Sequence, residues 1–300
     1  KTVENNKSKY YPVTEIISII KSDEIRNKKE TVIVVPSTPE VNQHNVSYIG
    51  SMQGDYILGR QLGQSLSHIK PVLQNSNWII LADGDQGSVP KNSLILDKAI
   101  RDSSIFVKVG EFQRKKNGNY SLWKRNTTLI TPRGFHNRFR ELAIGMQQGP
   151  LGLKSIFDEI AIEHMLDGHF KYQKIARDEA LAKINSKPDD IGSLWTLSLL
   201  KIISNRPYEA DNYLKDLEYL LPNNPWPSVY RSVVNLAAWN PWKASLIAEK
   251  ANIKHKNYLL KALSDISAVC RGAFWRLSST FDSVFMAANK IDQILNSPKK

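Results

Sequence analysis

The hydrophobic periodicity of this chain changes once, near Arg133-Gly134. Before that point, short unbroken apolar runs alternate with helical stripes. After it, from Phe139 to Leu295, every apolar pattern repeats with a helical period and no strand signal recurs. Such a chain has to build two different cores, the first an α/β layered structure and the second all-helical. Its 300 residues suffice for one large domain or two smaller ones. The spacing predicts a lead-in and amphipathic helix over 1–30, a small three-layer α/β domain over 31–133, and a tetratricopeptide-like helical domain over 134–300.

In the first half, Ile16, Ile17, Ile19, Ile20 and Ile25 predict a helix over Val13 to Ile25, with Thr14 as N-cap. Thr31 to Val35 is β-branched and stopped by Pro36, which predicts a buried strand. A polar loop, 36–50, follows. Ile57, Leu58, Leu62, Leu66, Ile69 and Leu73 predict a helix over 57–73. Trp78-Ile79-Ile80-Leu81-Ala82 is a central strand ended by Asp83-Gly84-Asp85. A helix over Leu94 to Ile100, capped by Asn92 or Ser93, and a strand over Ile105 to Val109 come next. Asn117-Gly118 predicts a two-residue hairpin turn between alternating segments.

Two places carry chemistry. Ligands gather beyond the carboxyl ends of strands in open α/β sheets. Asp83 and Asp85 stand there, where Asp-x-Asp can hold a divalent cation against a sugar nucleotide's phosphates or can simply end a strand as turn formers. The loop after the first strand offers Asn42, Gln43, His44 and Asn45 as ligand-binding groups, or as ordinary surface. Phosphate-loop, serine-hydrolase, His-Glu-x-x-His and Cys-x-x-Cys patterns are all missing from the sequence. Glu159, Glu163, His164 and His169 lack the spacing of a di-iron bundle and read as a solvated helix face. Lys115, Lys116, Lys124, Arg125 and Arg133 cluster around the hairpin, to meet phosphate or lipid headgroups or merely water. Asn45, Asn119 and Asn126 each open a glycosylation sequon.

Charge and cysteine content narrow the partners. The formal net charge is +12, spread as +7 up to Arg133 (19 basic, 12 acidic) and +5 after it (22 basic, 17 acidic). That excess fits an anionic membrane surface or phosphate-bearing ligands. Without zinc-finger or RNA-binding signatures it fits nucleic acid less well. Cys270 is the single cysteine, so no internal disulfide framework exists. No window approaches the length of a membrane-spanning helix. With Lys1 first and no signal-peptide pattern behind it, the chain reads as a piece of something longer or a processed product.

The helical half shows recurrent punctuation. Pro188 precedes Leu194-Trp195 and Pro225 precedes Val229-Tyr230, 37 residues apart, close to the roughly 34-residue period of tetratricopeptide helix pairs. Trp239-Asn240-Pro241-Trp242 with Ala244 to Ala251 continues the pattern, and Tyr258 to Leu277 and Phe281 to Leu295 close it. An irregular helical bundle is the alternative.

The first 130 residues also carry a resemblance. A helix leads into Val32-Ile33-Val34-Val35-Pro36. The polar Glu40-Val41-Asn42-Gln43-His44-Asn45 loop follows, then the Trp78–Ala82 strand, then a hairpin closing on Tyr120-Ser121-Leu122-Trp123-Lys124-Arg125. This resembles the soluble carboxyl-terminal domain of polytopic glycosyltransferases of the protein mannosyltransferase and aminoarabinose transferase type, in bacterial forms that add helical repeats. The resemblance implies a noncatalytic accessory domain on the extracytoplasmic, periplasmic face of the bacterial inner membrane. It implies an upstream transmembrane region of the same polypeptide as partner, a protein or glycan acceptor, and no cofactor of its own. Val34 to Glu40 and Ile80 to Asp85 also look like the opening strands of nucleotide-sugar-dependent glycosyltransferases with a type A fold. In that case Asp83 and Asp85 would contact uridine or hold Mn²⁺ or Mg²⁺, and the enzyme would be self-contained and could be cytoplasmic. A third reading is a free tetratricopeptide adaptor with no enzymatic role.

Overall fold

The computed structural model describes residues 11–23, 29–54, 57–89, 91–115, 117–127 and 134–296. The chain divides into two compact units. One comprises Lys1–Arg133 with Ile160–Phe170; the other comprises Gly134–Glu159 with Lys171–Lys300. A mixed five-stranded sheet forms the first, and helices form the second.

In the α/β unit the elements run α1 (Pro12–Ser22), β1 (Glu30–Val34), α2 (Gln43–Met52), β2 (Ile57–Arg60), α3 (Ile69–Asn75), β3 (Trp78–Ala82), α4 (Lys91–Arg101), β4 (Phe106–Gln113) and β5 (Asn119–Arg125). The sheet order is β2-β1-β3-β5-β4. β1 pairs in parallel with both β2 and β3, while β5 runs antiparallel to β3 and β4. Side chains alternate across a strand, so β1 and β3 feed two cores. Val32, Val34, Trp78 and Ile80 pack with Ile16, Ile17 and Ile20 of α1 and Val46 of α2. Ile33, Val35, Ile79 and Leu81 pack on the other face with Val72 of α3, Leu96 and Ile100 of α4, and Met165 and Leu166. All five residues of β3 are buried, which is why that run carries no polar residue.

Several expectations change. The stripe over 57–73 divides: Ile57–Arg60 is a strand, and the helix begins only at Ile69. Pairing with β1 supplies β2 with backbone hydrogen bonds that no local pattern announces. The polar loop after β1 contains α2, with Asn42 as its N-cap. Thr14 is not a cap: α1 begins at Pro12, whose missing N–H suits a first turn. Asn92 and Ser93 lie inside α4 and are buried. Asn92 instead donates to the Gly63 and Ser65 carbonyls at 2.7 and 3.1 Å. The hairpin ladder closes at Gln113 and Asn119, so the connection spans 114–118 rather than two residues.

The helical unit contains α5 (Phe135–Ile144), the start of α6 (Pro150–Leu166), α7 (Lys171–Ser186), α8 (Ile191–Ile203), α9 (Pro207–Leu220), α10 (Trp226–Ala237), α11 (Pro241–His255), α12 (Tyr258–Cys270) and α13 (Leu277–Asn296). The break between the last two falls at 271–273, ahead of a short 3-10 turn at Phe274–Arg276, rather than beyond Leu277. From α7 onward each helix packs on the next, and α5 packs on α7 and α8. Three connections share one design. After α8, α10 and α12 come three residues whose middle member is left-handed: Asn205 (φ 56°), Trp239 (φ 60°) and Gly272 (φ 100°). The following N–H donates five residues back in each case, Arg206 to Lys201, Asn240 to Asn235 and Ala273 to Ala268, at 2.8, 2.9 and 2.9 Å. These are Schellman caps, which satisfy helix-end carbonyls with backbone alone. They recur at intervals of 34 (239 − 205) and 33 (272 − 239) residues. Between these hairpins, buried Asp211 of α9 accepts from Asn235 of α10 at 2.8 Å, Arg231 of α10 at 3.1 Å and Lys243 of α11 at 2.7 Å.

Candidate functional site

β1 and β3 are adjacent and parallel, and the chain leaves β1 toward β2 on one side and returns to β3 on the other. The topological switch point therefore lies between the loops after β1 and β3, the place where such sheets bind ligands. Here those loops are bonded to each other. The Ser37 N–H donates to the Gln86 carbonyl at 2.8 Å, and Ser37 pairs with Gly87 as an isolated parallel bridge. Gly87 has φ 72°, and a Cβ there would meet the Ser37 carbonyl oxygen at 2.1 Å, so only glycine fits the crossing. Gln86 is buried, and its amide donates to the carbonyls of Ala82 and Gly84 at 2.6 and 3.1 Å.

The hairpin adds Arg114 and Tyr120 to this edge. Arg114 donates to the carbonyl of Asp83 and, at 2.9 Å, to that of Asp85, and its guanidinium lies 5.1 Å from the Tyr120 ring centre. The Tyr120 hydroxyl donates to Glu40 Oε2 at 2.9 Å and shares a 2.6 Å bond with Thr38 Oγ1. Burial, with Glu40 beside it, holds that phenol above its ordinary pKa, so it stays protonated at neutral pH.

Asp83 and Asp85 are occupied by the same turn. Asp83 Oδ1 pairs with Arg101 at 3.2 Å, and its Oδ2 accepts the Asn119 N–H at 3.2 Å. Asp85 Oδ1 accepts the Gly87 N–H at 2.9 Å. A divalent cation wants several oxygen ligands free of competing cations. This pair instead has Arg101 on one carboxylate and Arg114 on the backbone carbonyls of both residues, a poor match for Mn²⁺ or Mg²⁺. Among the described residues, no group of three or more His, Cys, Asp or Glu is placed to hold a metal ion.

The second set of sequence-predicted residues splits. Asn42 accepts the N–H groups of His44 and Asn45 at 3.0 and 2.9 Å and donates to the Thr38 carbonyl at 2.9 Å. Asn45 donates to the Pro39 carbonyl at 2.9 Å. Both asparagines thus tie the loop to the start of α2. Gln43 and His44 face a cleft of about 500 Å³ within the α/β unit, lined also by Ser47, Arg60, Gln61 and His164. Ser47 Oγ accepts the Gly59 N–H of the edge strand at 3.0 Å and donates to the Gln43 carbonyl at 2.8 Å. Arg60 donates to the Gly168 carbonyl at 3.1 Å and stacks 5.2 Å from the Phe170 ring centre. Gln43 Oε1, Arg60 Nε and Gln61 Nε2 are buried without a hydrogen-bond partner among the described residues. His164 is pushed down to about 4 by burial and by Arg60, against the pull of Asp167, so its imidazole is neutral at pH 7. A guanidinium, two amides and neutral imidazole can hold a hydroxyl-rich or anionic ligand.

In the sequence Arg60 and Gln61 carry no binding role and His164 reads as part of a solvated helix face, whereas all three line the cleft. The 159–169 segment is not a solvated face: Glu163, Met165, Leu166 and Gly168 are buried, because the end of α6 covers the sheet. The apolar Ile162, Met165 and Leu166 just before Asp167-Gly168 were the available signal. The basic cluster at the hairpin also disperses. Arg125 is buried and donates to the Ser76 carbonyl at 2.8 Å, and Lys124 pairs with Asp23 at 2.9 Å. Lys116 and Arg133 lie outside the described residues. Of the sequons, Asn119 is held in the β4–β5 ladder, and Thr128 of the third lies outside the described residues.

Scans of the chain against protein-family models, curated proteins and solved structures find no match. No helix among the described residues is long and apolar enough to cross a membrane.

Proposed function

We propose that this chain is a noncatalytic binding module whose helical unit is a tetratricopeptide-like array that holds a partner. The observation that carries this reading is the row of identical caps at Asn205, Trp239 and Gly272, spaced at the period of helix-pair repeats. Repeats of this kind present extended surfaces and serve as scaffolds. The sequence resemblance gives the module its setting: an accessory domain at the extracytoplasmic membrane face, serving a glycosyltransferase that uses lipid-phosphate sugar donors. Its partners are then the upstream transmembrane region and a protein or glycan acceptor. The cleft at Gln43, His44 and Arg60 suits a hydroxyl-rich part of such an acceptor.

A self-contained, metal-dependent glycosyltransferase would need Asp83 and Asp85 free, and their bonds to Arg101, Asn119 and Gly87 speak against it. Calorimetric titration with Mn²⁺ and a panel of nucleotide sugars separates the two readings. We expect no heat of binding. Binding that disappears in the Asp83→Asn, Asp85→Asn variant would overturn the accessory reading.

A further inference from the structure

The three hairpin tips hold more than a shared backbone. Three residues beyond each left-handed residue stands an aromatic: Tyr208, Trp242 and Trp275. Their relative exposures are 66%, 65% and 83%, and Trp239, itself a left-handed residue, reaches 84%. Of seven tryptophans in the chain, the three that are exposed all belong to these tips. Water-exposed tryptophan is expensive, since each ring leaves a large apolar area in solvent. Helices that pack on their neighbours across connections this short, three residues after α8 and α10 and six after α12 with the 3-10 turn included, reverse direction, so the connections after α8, α10 and α12 all emerge at the same edge of the array. The rings therefore form a row. Phe274 adjoins Trp275, and Leu277, Phe281 and Phe285 continue an exposed apolar stripe down α13 at four-residue steps.

We propose that this edge docks on an anionic lipid surface, with the rings at the headgroup level. The shape supports it. The aromatics stand on tips and not in a groove, so a planar partner reaches all of them at once. Their chemistry supports it as well, because tryptophan and tyrosine favour the membrane interface, where one side of the ring is apolar and the other is wet. Charge selects the anionic lipid. Arg206, Lys243, Arg271 and Arg276 lie at or beside the tips, with Arg271 5.1 Å from the Trp242 ring centre. The acidic groups facing them are Glu209, Asp211, Glu249 and Asp265. Residues 201–276 carry 11 basic and 6 acidic side chains, a net +5, and Lys250 and Lys254 are exposed on α11 beside Leu246 and Ile253. Such an excess is attracted to phosphatidylglycerol-type surfaces and screened by salt. The inference stands apart from the glycosyltransferase reading, which is tested by nucleotide-sugar titration.

The experiment is flotation of the whole chain with vesicles of phosphatidylcholine alone and of phosphatidylcholine with phosphatidylglycerol, read together with tryptophan emission. We expect binding to the anionic vesicles, a blue shift in emission, quenching by brominated acyl chains, and weakening by salt. Trp242→Ser with Trp275→Ser should lower partitioning about tenfold with an unchanged far-ultraviolet circular dichroism spectrum. A separate Arg206→Gln, Arg276→Gln variant, which keeps every ring, should lower it on anionic vesicles only. Equal partitioning of the ring variant and the parent would overturn the proposal. An edge that serves a protein instead would leave emission unchanged on both vesicle types, and that result would overturn it too.

Discussion

The turns at the carboxyl edge of the sheet and the turns at the tips of the helical hairpins solve the same problem by opposite means. At the sheet edge, side chains close the loops: Gln86, Arg114, Asp85 and Asn42 each reach back to backbone groups. At the hairpin tips, backbone bonds into Lys201, Asn235 and Ala268 end the helices, and Asn240 is the one connecting side chain that also caps, accepting the Lys243 N–H at 3.2 Å. A side chain spent on closing a loop is not available to a ligand. A helix end satisfied by backbone leaves the side chains at and just beyond it free of that task, and in this chain Trp239, Tyr208, Trp242 and Trp275 stand there. The place where an α/β sheet customarily binds is laced together, and the place that looks like mere connection faces outward.

The largest expected effect tests the first half of that contrast. Arg114→Ala removes both carbonyl contacts and the cover over Tyr120, and should cost the α/β unit about 2 kcal/mol. Urea unfolding, with amide exchange of β3 and β5 to assign the loss, would measure it. A cost near zero would mean the edge does not depend on side-chain closure.

A smaller effect comes from His164. Its folded pKa of about 4 lies below the ordinary histidine value of about 6.5, so between those values the unfolded chain binds a proton that the folded one does not. Stability of the α/β unit should therefore be full above about pH 6.5 and fall as pH drops toward 4, by about 1 kcal/mol once partial solvent exposure is allowed for. His164→Gln should flatten that slope, and imidazole titration by nuclear magnetic resonance gives the pKa directly. Arg60 and Asp167 are the charges that set it.

The smallest effect has the opposite sign. Trp239 holds φ 60°, a region that suits glycine and strains a large ring. Trp239→Gly should raise the melting stability of the helical unit by about 0.5–1 kcal/mol. The same variant should weaken vesicle binding. Loss of stability would mean that the ring packs usefully where it stands.

Much of this was legible in the sequence, for local reasons. β3 announced itself because a strand buried on both faces has no polar position, and the hairpin because Asn117-Gly118 breaks alternating segments. β2 was hidden because Ile57 and Leu58 fall in step with Leu62, Leu66 and Ile69 at helical spacing, while its real support is β1, far off in sequence. α2 was hidden by its polarity, with only Val46 and Gly50 buried, although Asn42 was a readable cap. Asp83 and Asp85 were placed correctly at the strand end, but nothing local showed that Arg101 and Asn119 would claim them. The cleft was the least legible part, since it joins Gln43 to His164 across the chain. The aromatic row was present as Tyr208, Trp242 and Trp275 but needed the cap positions to bring it into register.

One feature of the α/β unit bears on how the chain is made. Met165, Leu166 and the partly buried Ile162 complete the core on one face of the sheet, yet they follow the last strand by some forty residues (165 − 125 = 40). As the polypeptide leaves the ribosome, Val72 of α3 and Leu96 and Ile100 of α4 can cover their share of that face, but the share that Met165 and Leu166 cover stays open until α6 has emerged. The nascent sheet is then an adhesive surface waiting for its last piece, and a chaperone that recognises bare β-strands would have its longest opportunity in that interval.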